Sequence, residues 1–334
     1  MQPSPRVALK LDDRQGCRFD PLVEKGRAMT DWPRTIKEAA ARIAPHVVTT
    51  PTVTLEGLSP GGPVEFKLEQ LQHTGSFKAR GAFNNLLTRK VPRAGIVAAS
   101  GGNHGAAVAH AAQALGHRAR IYVPEVAGPA KIALIRGTGA ELEVVPGSYA
   151  EALKAALAHE TATGAMQIHA YDAPETLAGQ GTVMREWETQ GLSADTVLIA
   201  VGGGGLIGGA LGWLEGRRKV VAVEPRLAPT LNAALRHGPD TEVDVAGVAA
   251  NALGGRKIGR LCYGLAQNVE SVLVEDAAIT GAQHLIWRSH RLLVEPAGAT
   301  ALAALTSGAY VPEPGERVAV LVCGGNIAPD PFRS

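Results

Sequence analysis

The stretch TVLIAVGGGGLIGG, residues 196–209, is decisive for the fold because it joins an apolar run to four consecutive glycines and then to a helical pattern. A short apolar run rich in Val and Ile is typical of a strand that is buried on both faces of a parallel sheet. Four glycines let several backbone N–H groups converge on one anion, and the following helix adds its N-terminal amides and dipole. A single Gly-Gly pair would indicate only a tight turn. The longer run predicts a phosphate-binding loop.

The same alternation of strands and helices extends from this loop in both directions. Helical stretches such as AAVAHAAQALG and TLAGQGTVMREWETQ separate short apolar runs. The predicted strands cover residues 64–68, 95–100, 120–124, 142–146, 166–170, 196–201, 219–225, 271–276 and 317–323. So many strands in 334 residues predict the α/β class, with two open sheets of mainly parallel strands.

No low-complexity linker separates the two expected sheets, which favours one domain inserted into the other with a cleft between them. We expect residues 30–94 and 173–334 to form a large cofactor-binding domain. Residues 95–172 would form the small inserted domain. Residues 1–29 read as a poorly ordered polar leader, and Met29 is a candidate alternative start because a helical pattern begins soon after it.

Composition excludes several classes of protein. The net charge of +2 gives no signal for nucleic acid or a membrane surface, and no apolar run is long enough to span a bilayer. Cys17, Cys262 and Cys323 are widely spaced and odd in number, without a metal-ligand pattern, which favours a reducing compartment. We therefore expect a cytoplasmic protein that acts on a small molecule.

The stretch HTGSFKARGA, residues 73–82, places positive charge where a helix is expected to begin. Ser76 is the predicted N-cap, so Lys78 and Arg80 fall in the first turn, where acidic residues are favoured. A helix N-terminus disfavours the charged form of Lys78 and so favours its neutral, nucleophilic amine. A single lysine in the first turn of a helix is more simply explained as a solvated surface residue. A chemical role for Lys78 therefore needs support from a second sequence feature.

Two cofactors fit a phosphate loop in this setting. Gly203, Gly205 and Gly208 satisfy G-x-G-x-x-G, and Glu224 ends the next strand, where a dinucleotide-binding dehydrogenase has its ribose-binding acid. That hypothesis does not explain Lys78, nor the motifs SGGNHG (100–105) and CGGN (323–326). A phosphate site together with a reactive lysine indicates pyridoxal phosphate. A non-catalytic phosphate-binding module is a third alternative.

The motifs GSFKARGA, SGGNHG, GGGGLIGG, VEP and CGGN occur in an order that resembles the fold-type-II pyridoxal-phosphate enzymes. The resemblance covers roughly residues 33–328 and is closest to the threonine/serine dehydratase and serine racemase branch, in the tryptophan synthase beta-like superfamily. It implies a cofactor in the interdomain cleft and a homodimer.

The resemblance implies roles for single residues. Lys78 would form the Schiff base with the cofactor and remove the Cα proton, while Phe77 packs against the cofactor ring. Asn103 would hydrogen-bond the ring's 3-oxygen, Gly247 would lie beside the cofactor, and Cys323 would face the pyridine nitrogen. The phosphate would be held by the backbone amides of Gly202, Gly203, Gly204, Gly205 and Leu206. The SGGNHG loop would hold the substrate carboxylate with Ser100, Gly101, Asn103 and His104.

This sequence differs from the branch at three positions that bear on its activity. Racemases of the branch have a second serine, the acid/base on the opposite face, where this chain has Gly101. Metal-binding members have an acid six residues after the glutamate of VEP, whereas here Glu224 is followed at that distance by Thr230, so no divalent metal is expected, and a monovalent cation stays possible. Cys323 replaces the usual serine, and an uncharged thiol would leave the ring a moderate electron sink.

The resulting prediction is a lyase, a threonine/serine ammonia-lyase. It would convert L-threonine or L-serine by β-elimination to 2-oxobutanoate or pyruvate plus ammonia. Serine racemase, hydroxyaspartate ammonia-lyase and β-replacement are the alternatives within the cofactor class, and Gly101 counts against the first. Because the chain ends soon after CGGN, we expect no regulatory domain and no response to isoleucine.

Overall fold

The computed structural model describes residues 30–59, 61–127, 129–147 and 149–327. The predicted leader at residues 1–29, with Cys17 and Met29, lies outside the described residues. The described residues from Trp32 onward belong to one compact unit. It contains two β-sheets with helices packed on them, as the alternating pattern predicts.

The strands follow the predicted positions closely. Their bounds are β1 Thr52–Leu55, β2 Val64–Leu68, β3 Ile96–Ala99, β4 Ala119–Pro124, β5 Glu141–Val145, β6 Met166–Gln167, β7 Thr196–Ala200, β8 Lys219–Pro225, β9 Glu270–Val274 and β10 Val318–Val322. The first sheet has the order β1-β2-β10-β7-β8-β9, and the second has the order β5-β4-β3-β6. Every pairing is parallel except that of β1 with β2. The prediction of two mainly parallel sheets is confirmed.

Twelve α-helices connect these strands in the part of the chain that the structure describes. They are α1 Trp32–Ile43, α2 Lys78–Thr88, α3 Asn103–Ala114, α4 Pro129–Arg136, α5 Tyr149–Thr163, α6 Pro174–Thr189, α7 Gly205–Leu214, α8 Thr230–His237, α9 Ala250–Leu253, α10 Arg260–Leu265, α11 Asp276–His290 and α12 Pro296–Thr306. None of them combines the length and apolar character that a membrane span requires.

The second sheet is formed within residues 96–167, and strands of the first sheet lie on both sides of it along the chain. This arrangement supports an inserted small domain. The boundaries at residues 94/95 and 172/173 stay a prediction. The central strands β7 and β10 are buried throughout, and each sheet packs its own apolar side chains into a separate core.

Two strand predictions differ from the structure. β1 was not predicted because TVTL is short and half-exposed, and its only neighbour is the antiparallel edge of β2. The predicted strand at 166–170 pairs with β3 only at Met166 and Gln167. The N–H of Ile168 still donates to Val97 of β3, but its carbonyl oxygen takes a hydrogen bond from His104, and the chain leaves the sheet there.

Glycines let three helices approach one another at the backbone. A Cβ on Gly179 of α6 would lie 2.6 Å from the Cα of Gly81 in α2. On the other side of α6, a Cβ on Gly181 would lie 2.7 Å from the carbonyl oxygen of Gly209 in α7. Any side chain at these contacts would separate the helices. α2, which begins at Lys78, and α7, which follows the glycine loop, are therefore held against opposite sides of α6.

Candidate active site

One cavity collects most of the predicted site residues. Its lining includes every predicted cofactor-site residue except Gly247, namely Phe77, Lys78, Asn103, Gly202, Gly203, Gly204, Gly205, Leu206 and Cys323. Tyr171 and Ala297 are among the further residues that line it. Most of these residues come just after β6, β7 or β10 or lie at the starts of α2, α3 and α12. The cavity thus lies at the carboxyl ends of the strands, where open α/β sheets place their ligands.

Lys78 is the first residue of α2, and its amine is enclosed by the protein. Lys78 Nζ donates a hydrogen bond of 2.8 Å to the carbonyl oxygen of Ala170 and lies 5.0 Å from the centre of the Phe77 ring. Burial lowers the pKa of Lys78 to about 8. Near physiological pH the neutral form is therefore far more populated than in an ordinary lysine, as a nucleophile or base requires.

The prediction of Ser76 as the N-cap is wrong. The N-cap position is held by Phe77, whose backbone is already helical. Ser76 is extended, with φ of −163°, and its backbone forms a bridge with Gly324. Its Oγ is buried and has no hydrogen-bond partner among the described residues. Pairing with the segment after β10 determines where this serine lies, and that pairing is not visible in the local sequence.

Arg80, in the first turn of α2, has a structural role. Its guanidinium is buried and forms ion pairs with Glu69, at 2.7 Å, and with Glu186, at 2.9 Å. Lys67 Nζ, also buried, shares Glu186 at 2.6 Å. The charge of Arg80 is thus matched by carboxylates from a short 3₁₀ helix and from α6, and only Lys78 of the two early cations faces the cavity.

The glycine loop has the properties of an anion site. The backbone N–H groups of residues 202–207 donate no hydrogen bond to any other residue that the structure describes. Gly204 has φ of +93°, and the next residue begins α7, so the amides lie at a helix N-terminus. A Cβ on Gly202 would lie 2.8 Å from Leu253 Cα, and one on Gly203 would collide with the ring of Tyr171. Unpartnered amides in a cradle that only glycine fits are what a phosphate group requires.

The SGGNHG loop forms a second helix N-terminus, that of α3. Ser100 Oγ accepts a hydrogen bond of 3.1 Å from the N–H of Gly102. Among the described residues, nothing accepts a hydrogen bond from the backbone N–H groups of Gly101, Asn103 or His104. The loop therefore offers amides to an anion, as a carboxylate-binding loop would. Of the four predicted carboxylate-binding residues, only Asn103 lines the cavity itself.

His104 offers no positive charge to such a carboxylate. Its Nε2 lies 3.0 Å from the carbonyl oxygen of Ile168, so that nitrogen carries the proton of the neutral ring. Burial, followed by the charge of Lys78, lowers the pKa of His104 to about 3. The imidazole links α3 to the residue that follows β6 through this hydrogen bond. The donor that His104 can offer to an anionic ligand is its backbone N–H.

Cys323 directly follows β10 and lines the cavity. Its Sγ lies 3.3 Å from the carbonyl oxygen of Ala297, to which the thiol donates, and its own carbonyl oxygen accepts the N–H of Phe77. Burial holds the pKa of the Cys323 thiol well above its ordinary value. The thiol is therefore uncharged, as the interpretation of a moderate electron sink assumes.

The comparisons with known proteins agree with this geometry. The sequence profile of one family, described as pyridoxal-phosphate dependent enzyme, matches residues 43–324. The chain belongs to this family. Its fold is that of the fold-type-II members, and pyridoxal phosphate is its cofactor. The glycine cradle with its unpartnered amides and the buried amine of Lys78 fit that cofactor.

Relatives of this pyridoxal-phosphate dependent enzyme include dehydratases and ammonia-lyases. L-threonine ammonia-lyase from Thermotoga maritima is 36% identical over 80% of this chain and 68% of its own length. Phenylserine dehydratase from Ralstonia pickettii is 35% identical over 86% of this chain and 90% of its own. Among solved structures, the T.th. threonine deaminase has a TM-score of 0.81 at 33% identity, over 88% of this chain and 98% of that chain. Maize serine racemase also has a TM-score of 0.81, at 28% identity over 88% and 93%.

Gly247 is not among the residues that line the cavity. It lies on an exposed turn with φ of +87°, where a Cβ would lie 2.5 Å from a carboxylate oxygen of Asp276. Ala252 and Leu253, a few residues further along, line the cavity instead. The proposed place of Gly247 beside the cofactor therefore stays a prediction, and the structure gives this turn a conformational reason for its glycine.

Glu224 is unavailable for the role that a dinucleotide enzyme would give it. The carboxylate is fully buried and accepts the backbone N–H groups of Leu231, at 2.6 Å, and Asn232, at 2.8 Å. Burial raises the pKa of Glu224 to about 7 in spite of these hydrogen bonds. The side chain satisfies the N-terminus of α8 and cannot reach a ribose. Within the described ranges, no cluster of three His, Cys, Asp or Glu side chains could hold a metal ion.

Two site residues were missed or undervalued by sequence reasoning. Tyr171, in the segment between β6 and α6, lines the cavity with its ring against Gly203. From its sequence, Glu295 in the stretch VEPAGA could equally cap a helix or border the cofactor, and in the structure its side chain forms no capping hydrogen bond. It occupies the N-cap position of α12 and accepts a hydrogen bond from Asn103 Nδ2. Position just after a predicted strand was the one available signal for Tyr171.

Proposed function

We propose that the protein is an ammonia-lyase that converts L-threonine or L-serine by β-elimination to 2-oxobutanoate or pyruvate plus ammonia. Support comes from the named relatives and from the cavity that joins the buried amine to two loops of unpartnered amides. Pyridoxal phosphate supplies an aldehyde that engages the amino group and a ring that withdraws electrons from the Cα–H bond.

The chain's own residues supply orientation and proton transfer. The amides of residues 202–206 hold the phosphate, and the amides at the start of α3 hold the substrate carboxylate. Lys78 Nζ takes the Cα proton as a neutral amine and, once protonated, can give a proton to the departing β-hydroxyl. The lowered pKa of Lys78 suits both steps, because a group near pH 8 exchanges protons readily in either direction.

One contact, between Gly101 and Ala127, favours elimination over racemisation. Gly101 stands where the branch's racemases have their second acid/base, and a Cβ at Gly101 would collide with the Cβ of Ala127. The space for a serine side chain is thus filled by an apolar group from the 3₁₀ helix after β4. With no proton donor placed there, a deprotonated Cα has no route to its mirror image.

The proposal is tested by product analysis of the purified protein supplied with pyridoxal phosphate. L-threonine, L-serine, phenylserine and hydroxyaspartate are offered in turn, and 2-oxo acid and ammonia are measured. We expect equal amounts of both products from threonine or serine, and none from the variant K78A. Formation of D-serine in place of 2-oxo acid, or unchanged turnover by K78A, would contradict the proposal.

We further propose that the protein is a cytoplasmic homodimer with the domain boundaries given above. Two buried free cysteines, Cys262 and Cys323, support a reducing compartment. The dimer rests on the likeness to the branch. Sedimentation equilibrium at several concentrations tests it, and a single species at the mass of one chain would refute it.

A further inference from the structure

Three polar side chains from distant parts of the chain form one hydrogen-bonded chain beside the cavity. Asn103 Nδ2 donates to Glu295 Oε1 at 2.5 Å, and Asn326 Nδ2 donates to Asn103 Oδ1 at 2.9 Å. Glu295 and Asn103 are more than nine-tenths buried. The three residues come from the start of α12, the start of α3 and the turn after β10, so the network joins three segments that border the site.

The network fixes which way the carboxamide of Asn103 points. Asn326 Nδ2 also donates to the carbonyl oxygen of Thr74, at 2.7 Å, so its nitrogen is held between two acceptors. A flipped Asn103 would direct its NH₂ at that nitrogen and its oxygen at the carboxylate of Glu295. Both ends of the network would then lose a hydrogen bond in a buried place, which is costly.

Glycine at position 324 makes the place of the carboxylate possible. A Cβ on Gly324 would collide with Glu295 Oε1, the oxygen that Asn103 contacts. The backbone N–H of Glu295 also donates to the carbonyl oxygen of Gly324, at 3.3 Å. Backbone and side chain of Glu295 are thus both packed on the CGGN turn, so the position of its oxygen is determined by the fold rather than by a flexible rotamer.

Asn103 has one hydrogen-bonding group left for a ligand. Its oxygen is engaged by Asn326 and one N–H by Glu295, so the second N–H remains, in a residue that lines the cavity beside Lys78. We propose that Glu295 is a positioning residue that holds Asn103 with an amide hydrogen, and not its oxygen, toward the cofactor's 3-oxygen. This inference rests on the cofactor site of the proposed function and is independent of the amino-acid substrate.

A fixed donor has a measurable consequence. Hydrogen bonding to the deprotonated oxygen favours the charged form. Loss of Glu295 frees the Asn103 amide to rotate, so the absorbance change that accompanies deprotonation of the bound cofactor should move to higher pH. Affinity for pyridoxal phosphate should fall by at least about tenfold, the lower end of the effect of losing one hydrogen bond with a charged partner.

The experiment compares E295A, E295Q and N326A with the parent protein by cofactor titration, by pH titration of the bound cofactor's absorbance and by melting temperature. Gln at 295 retains an acceptor for Asn103 Nδ2, so E295Q should behave as the parent, while E295A and N326A shift both readouts. The matched control is E275A, because Glu275 also occupies a helix N-cap position, that of α11, but its side chain is exposed and pairs with Arg226.

Parent-like cofactor binding and pH dependence in E295A would overturn the proposal, as would equal changes in E295A and E275A. A defect in E295Q as large as that in E295A would show that charge matters rather than orientation, which also overturns it. If E295A does not fold, N326A decides in the same way. The titrations need no substrate, so a parent that binds the cofactor without deaminating threonine would refute only the proposed function.

Discussion

The amine of Lys78 lies in surroundings that favour its neutral form before any cofactor arrives. Its pKa of about 8 is lowered from 10.5 chiefly by burial. We predict that the rate at which the cofactor-free protein reacts with pyridoxal phosphate rises about tenfold for each unit of pH up to pH 8 and is constant above it. The reason is that only the neutral amine attacks the aldehyde. Stopped-flow absorbance measures this rate. A rate that keeps rising to pH 10 would contradict the burial argument.

Gly101 and Ala127 predict an unusual result for a serine introduced at position 101. Both G101A and G101S add a Cβ that collides with Ala127, so both should lower the free energy of unfolding by about 1–3 kcal/mol, the usual cost of overpacking, and both should reduce kcat/KM because the SGGNHG loop is displaced. Neither should form D-serine. Chiral chromatography and deuterium uptake at Cα of recovered serine provide the readout. If G101S is active while G101A is not, the hydroxyl matters and the steric argument is wrong.

Cys323 is expected to tolerate one replacement and not another. Its thiol is uncharged and donates to Ala297, and a serine hydroxyl can do the same. C323S should therefore retain threonine deamination within about threefold, whereas C323D places a buried carboxylate beside Lys78 and should lower the rate and change the cofactor spectrum. Steady-state assays with matched cofactor loading measure this. Loss of activity in C323S would assign the sulphur a role that the structure does not supply.

At the scale of elements, α2 depends on the buried ion pairs of Arg80. We predict that R80A loses about 3–5 kcal/mol of unfolding free energy, or fails to fold, because Glu69 and Glu186 would be left buried without their main partner. R34A is the matched control, since Arg34 forms an exposed pair with Glu38 in α1 and should cost about 1 kcal/mol or less. Urea unfolding followed by circular dichroism distinguishes the two. Equal losses would contradict the role of burial.

Local pattern predicted most elements, and the exceptions have physical reasons. β7, β8 and β10 were predicted almost to the residue because buried parallel strands are continuous apolar runs. β1 is short and half-exposed, and the N-cap assigned to Ser76 was wrong because a bridge to Gly324 fixes that serine. The partners of Arg80 and Asn103 lie 11 to 223 residues away along the chain, and no local sequence pattern predicts such contacts.

At the scale of the whole molecule, the two sheets should differ in stability. β10 is buried along its length between two neighbours, whereas β5 is a largely exposed edge strand. Hydrogen exchange should therefore be slowest in β7 and β10 and faster in β5 and α5, because exposed edges open more readily. Mass spectrometry of exchanged peptides tests this, and pyridoxal phosphate should add protection at residues 202–207. Equal protection in both sheets would refute the expectation.

The contact between Gly101 and Ala127 also constrains how this chain could change through mutation. Adding a serine at 101 first would pass through a protein with a collision in its active site. Removing the Cβ of Ala127 first opens the space at little cost, after which a serine can enter. The order of the two substitutions therefore matters: A127G is the permissive step, and a lineage that never acquires it remains confined to elimination.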